Sequence, residues 1–129
     1  MFEELKPLAM QGKQKYIYIL LFNSNNIKIG VSSNPYQRFN SLSNSNGGGY
    51  KIIKYYLSPP TYIWKTLEKY MHELFKDYRL EGEFFNKTLS FATAVDKLNE
   101  IINSAEYLKS NEIRKQSNLP YAANTAQTY

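Results

Sequence analysis

Apolar and polar positions divide the chain into a small number of elements. Lys15 to Phe22 is rich in β-branched and aromatic residues and predicts a buried strand. Asn23 to Asn26 has turn composition, and Ile27 to Val31 then alternates apolar and polar, so the two runs predict a hairpin. Asn34-Pro35 has the chemistry of a helix start and predicts a short helix from Pro35 to about Leu42, with Phe39 and Leu42 facing inward. Ser43 to Gly49, with three glycines, predicts a mobile loop, and Tyr50 to Leu57 a third strand. After Pro59-Pro60, apolar residues recur at helical spacing from Thr61 to Arg79 through Ile63, Leu67, Tyr70, Met71, Leu74 and Phe75. Glu83 to Phe85 is a short extended piece. A second amphipathic helix is expected from Ser90 to Leu108, and the chain turns polar beyond Ser110 and is expected to fray.

The expected architecture is α+β: a small three-stranded antiparallel sheet flanked by helices, with an additional C-terminal helix. Residues 1–12 read as an N-terminal extension, 13–89 as the core, 90–109 as the C-terminal helix and 110–129 as a flexible polar tail. The 129 residues suit one domain with a single modest core. The absence of cysteine excludes disulfides and thiolate chemistry and suits a reducing, intracellular compartment. The longest apolar run, Tyr16 to Phe22, is far below the roughly 20 residues of a membrane helix, and the acidic Met1-Phe-Glu-Glu start does not read as a signal peptide.

Net charge is +5, and its distribution matters more than its sum. Residues 1–60 hold seven bases against two acids, and residues 61–129 nine against nine. No Asp or Glu occurs from Leu5 to Leu67, and Glu68 is the first acid after that stretch. An acid-free half with scattered Lys and Arg creates a field that attracts polyanions.

A His/Cys zinc site is excluded by one histidine and no cysteine. There is no nucleophile elbow and no phosphate-binding Gly-rich loop followed by lysine. What remains is an ordered set: Tyr18 on the first strand, Lys28-Ile29-Gly30 on the second, Arg38 on the short helix, Glu68 on the long helix, and Asn86 after Phe84-Phe85. This order resembles the GIY-YIG endonuclease superfamily, with Tyr16-Ile17-Tyr18 in the place of GIY and Lys28-Ile29-Gly30 in the place of YIG. Asn34 to Phe39 looks like its arginine helix, Leu67 to Phe75 like its glutamate helix, and Gly82 to Phe85 like the closing strand of a phage and viral branch. The leading glycine is Tyr16 here, a backbone position; the tyrosine of YIG is Lys28, as in some restriction-enzyme and phage members.

The resemblance implies a metal-dependent endonuclease that hydrolyses phosphodiester bonds in DNA, duplex above all. Such chemistry needs an activated water, charge neutralisation at the phosphoryl oxygens and help for the leaving oxygen. Glu68 is the implied ligand of one Mg²⁺ or Mn²⁺. Arg38 would grip the phosphate bidentately, and Tyr18 would activate the water with help from Lys28, whose pKa should fall if it is buried beside Arg38. His72, one turn after Glu68, Asn86 and Tyr16 are candidate supporting residues. Lys15, Lys28, Arg38, Lys51 and Lys54 are the expected nucleic-acid contacts.

Each residue also has an ordinary reading: Tyr18 as a strand aromatic, Lys28 on a solvent face, Arg38 as a surface helix residue, and Glu68 paired with Lys65 or His72 along its helix. The competing expectation is therefore a catalytically inactive nucleic-acid-binding, regulatory or protein-interaction module on the same scaffold. With little chain outside the core, target choice would fall to weak intrinsic preference, a homodimer or a protein partner.

Overall fold

The computed structural model describes residues 1–45 and 51–117. The predicted hairpin is present as β1, Tyr16–Phe22, and β2, Ile27–Ser32, paired antiparallel with Tyr18 opposite Gly30 and Leu20 opposite Lys28. Helix α1, Pro35–Ser45, follows, and Asn34 caps it as expected, its Oδ1 accepting from the Gln37 N–H at 3.1 Å. β3, Ile52–Leu57, pairs with the other edge of β1, with an irregularity between Leu21 and Phe22. After helix α2, Trp64–Leu74, and a 3₁₀ turn, Lys76–Tyr78, the two-residue strand β4, Phe84–Phe85, pairs with β2. Helices α3, Phe91–Ile102, and α4, Ala105–Ser117, complete the described chain.

The sheet is thus four-stranded, in the order β3-β1-β2-β4, where three strands were expected. β4 is too short to show alternation in sequence; only its pairing at Ile27↔Phe85 and Lys28↔Phe84 makes it a strand. Both faces of the sheet are covered, which explains why β1 reads as a continuous apolar run. Ile17, Ile19, Ile27 and Ile29 point into a core shared with Leu67 and Met71 of α2 and Ala94, Leu98 and Ile102 of α3. Tyr18, Leu20 and Phe22 alternate onto the opposite face and pack with Phe39 and Leu42 of α1 and Leu5. Leu5 belongs to a 3₁₀ helix, Glu3–Leu8, in the segment read as an extension.

Other boundaries moved as well. Thr61 does not begin α2, because its backbone N–H and C=O both pair with Lys15 and its hydroxyl caps Ile63 from outside the helix. The C-terminal helix is broken at Asn103-Ser104, where Ser104 Oγ donates to the Ile101 carbonyl and accepts from the Tyr107 N–H. The break turns Tyr107 inward and leaves the expected core residue Leu108 56% exposed. Helix α4 continues to Ser117, through residues expected to fray, and Asn111 anchors it by accepting from Thr61 Oγ1 and the Tyr62 N–H. Ser43 to Ser45 finish α1 rather than opening a loop; the rest of that expected loop, with Gly47 to Gly49, and the tail from residue 118 lie outside the described residues. Among the described residues no helix is long and apolar enough to cross a membrane.

Candidate functional site

The α1 face of the hairpin gathers three of the residues singled out in the sequence. Tyr18 and Gly30 are cross-strand partners, and Lys28, two positions before Gly30, lies on the same face. Tyr18 is fully buried, with its ring edge-on to Phe39 at 5.4 Å between centroids. Its Oη accepts a long hydrogen bond from Arg38 Nε on α1 at 3.4 Å. Lys28 is buried, its ammonium 4.4 Å from the centre of the Phe84 ring, so it is not the solvent-facing lysine that alternation alone allows.

The centre of this cluster is Glu83, a residue that no motif marked for chemistry. Glu83 Oε1 accepts from Tyr18 Oη at 3.1 Å and lies 3.6 Å from Lys28 Nζ. Its backbone is fixed as well, because its carbonyl takes the Ile29 N–H at 3.1 Å. Gly82 turns the chain with φ of 61°, a left-handed conformation suited to glycine, and delivers Glu83 to the edge of β2. A Cβ on Gly30 would collide with both Glu83 Oε1 and the Tyr18 phenol, so glycine here makes room for their contact. The only sequence signal was an acid one residue before Phe84-Phe85. Without the register placing Phe84 beside Lys28, nothing marks it out from the other acids of the second half.

Glu68 lies on α2, the helix that packs on the opposite face of the sheet, and its charge reaches Lys28 and Glu83. Among the described residues it makes no hydrogen bond or ion pair, so neither Lys65 nor His72 claims it. Burial, and then the charge of Glu83, push its pKa above the ordinary carboxylate value, while His72, Arg79 and Lys15 pull the other way. Burial lowers the pKa of Lys28 and Arg38 adds to this, against the pull of Glu83 and Glu68. Tyr18 is pushed well above the usual phenol value by burial and then by Glu83, outweighing Arg38. The cluster therefore holds Tyr18 as a neutral phenol rather than favouring the phenolate.

The supporting candidates separate. His72 Nε2 lies 2.8 Å from the Ile29 carbonyl, which can only accept, so Nε2 carries the hydrogen; the ring stands edge-on to Phe85. His72 thus ties α2 to β2 one turn from Glu68. Asn86 is exposed, and its Oδ1 accepts from the Thr88 N–H and hydroxyl, which organises the turn into α3. Tyr16 is buried opposite Ser32, at the start of a regular stretch of β1. Lys15 lies over the Trp64 ring at 4.1 Å and within the field of Glu68. Lys51 pairs through its backbone with Asn23 at the hairpin turn. Lys54 lies over Phe91 on the sheet face opposite Tyr18, so the structure does not bring it to the cluster.

As a donor set, this arrangement suits a hard, hydrated divalent cation. Mg²⁺ keeps several waters and binds through one or two carboxylates together with substrate phosphate, and Glu68 offers one half-buried carboxylate with Glu83 near enough to shift its pKa. Among the described residues no group of three or more His, Cys, Asp or Glu is placed to enclose a metal. Residues 15–106 match the model of the T5orf172 domain. No curated protein and no solved structure matches the chain.

Proposed function

The chain belongs to the T5orf172 domain family, a domain of phage-type and homing-endonuclease-like proteins, and from that premise we propose that it is a metal-dependent endonuclease of the GIY-YIG type acting on DNA. The single observation that supports this is the gathering of Tyr18, Lys28 and Arg38 on the α1 face of the hairpin, with the half-buried Glu68 close enough for its charge to act on Lys28. Two cations and a phenol gathered around the single Glu83 carboxylate leave a net positive charge to offer a phosphodiester, and the unpaired Glu68 carboxylate suits a cation.

In this reading Arg38 turns its terminal N–H groups to the non-bridging oxygens of the scissile phosphate, since only its Nε is engaged by Tyr18. Lys28 places a second positive charge at the same phosphate. Glu68 would hold one Mg²⁺ or Mn²⁺, which when bound supplies charge neutralisation and lowers the pKa of its water. Tyr18 orients the attacking water and receives its proton as it gives up its own. Lys15 extends the positive field along the DNA backbone. Purified protein incubated with supercoiled plasmid and Mg²⁺ or Mn²⁺ tests this: nicking that Arg38→Ala removes is expected, and an inert wild type that binds DNA would defeat the catalytic part.

One observation favours the second reading, a non-catalytic DNA-binding module. Glu83 already partners Lys28 and thereby offsets part of the charge offered to phosphate. That reading expects salt-sensitive binding without metal dependence, which the same incubation separates.

A further inference from the structure

Tyr18 cannot accept a proton from water unless its own proton leaves. A buried phenol held neutral is a very weak base, and ionising it in this site is unfavourable. Its hydroxyl hydrogen already has a defined direction, because Glu83 Oε1 is a pure acceptor 3.1 Å away when ionised, while Arg38 Nε can only donate. The phenol lone pair is therefore turned toward the Arg38 side, where a phosphate and its attacking water would lie. Lys28 Nζ lies 3.6 Å from the same oxygen. Gly30 is the one residue type that leaves room for the contact, and the Glu83 carbonyl on Ile29 fixes the backbone that delivers it.

We propose that Glu83 is a positioning residue that aims the Tyr18 hydroxyl and takes its proton during hydrolysis, an assignment that rests on the nuclease reading above. The water O–H bond breaks and its proton passes to Tyr18 Oη as the phenolic proton passes to Glu83 Oε1. The water oxygen forms its bond to phosphorus, and the bond from phosphorus to the leaving sugar oxygen breaks. The leaving oxygen takes a proton from solvent water, and the hydroxide so formed is neutralised when Glu83 returns its proton. Tyr18 ends as it began, and one water is consumed.

The test compares wild type, Glu83→Gln, Glu83→Asp, Tyr18→Phe and the Tyr18→Phe/Glu83→Gln double variant. Single-turnover plasmid nicking, duplex DNA affinity without metal, and thermal unfolding are measured for each. Gln keeps an acceptor for the phenol but takes no proton, so nicking should fall about 100-fold, the range of a lost proton acceptor, with affinity retained. Residues acting as one unit give non-multiplying losses, so the double variant should be no slower than Tyr18→Phe. Asp, set back by one methylene, should nick at a rate between wild type and Gln, and it carries the test if Gln does not fold. Undiminished nicking by folded Gln or Asp variants, or losses that multiply in the double variant, overturns this role alone. A wild type that never nicks overturns it together with the nuclease reading.

Discussion

Tyr18 and Gly30 face each other across β1 and β2, and the Tyr18 phenol occupies the space in which a side chain on Gly30 would begin. The glycine of the second tripeptide is thus required by a neighbouring side chain, not by its own backbone angles. Gly30→Ala should destabilise the fold by about 1–3 kcal/mol, the usual range for overpacking. It should also displace Tyr18 from Glu83 and reduce nicking. Urea unfolding checks the first effect and plasmid nicking the second; an alanine variant equal to wild type in both would mean the space is not filled as described.

Burial of Tyr18 fixes the sign of an alkaline effect. Its pKa is raised above the ordinary value of about 10, so the folded chain keeps a proton that the unfolded chain has lost. The stability it contributes is whole below about pH 10 and declines as pH rises toward the folded value, by at most about 1.4 kcal/mol per pH unit. Tyr18→Phe should therefore lose stability less steeply than wild type above pH 10 in denaturant titrations. Parallel curves would show that this phenol ionises as freely in the folded chain.

Arg38→Lys keeps the charge and discards the planar fork. Because, among the described residues, the one side-chain hydrogen bond of Arg38 is the long one to the Tyr18 hydroxyl, the fold should survive with its unfolding midpoint unchanged. Nicking should fall about 10²-fold or more if two-point contact with a phosphate is what the guanidinium supplies. Full activity in the lysine variant would reduce Arg38 to a point charge.

The lysines proposed as DNA contacts should not behave alike. Lys15 lies in the field of Glu68, whereas Lys54 packs over Phe91 on the opposite face of the sheet. Lys15→Ala should weaken duplex binding and lower the salt slope by about 1, the signature of one lost phosphate contact. Lys54→Ala should leave both unchanged. Binding isotherms at several salt concentrations separate the two.

These differences mark where the chain could be read directly. β1, β2 and the cap at Asn34 were legible because strand composition and capping are local. So was the apolar face of α2, although Tyr70 and Leu74 on that stripe remain exposed. The break at Ser104 was hidden because Ile101, Ala105 and Leu108 keep helical spacing across it, while the cap is one hydroxyl. Tyr18, Lys28, Arg38 and Glu68 were singled out because the resemblance orders them along the chain. Glu83 was not, since its place depends on pairing β4 with β2 over two residues, a register that no sequence period encodes. The acid-free first half suggested one carboxylate facing a positive surface; the fold places a second carboxylate within it.

The central claim is that Glu68 serves hydrolysis through a divalent cation. Supercoiled plasmid should be nicked by wild type in Mg²⁺ or Mn²⁺ and left intact in chelator, while Glu68→Ala stays folded, binds DNA and does not nick under any of these conditions. Nicking by a folded Glu68→Ala protein at the wild-type rate, or wild-type nicking that chelator leaves untouched, would contradict it.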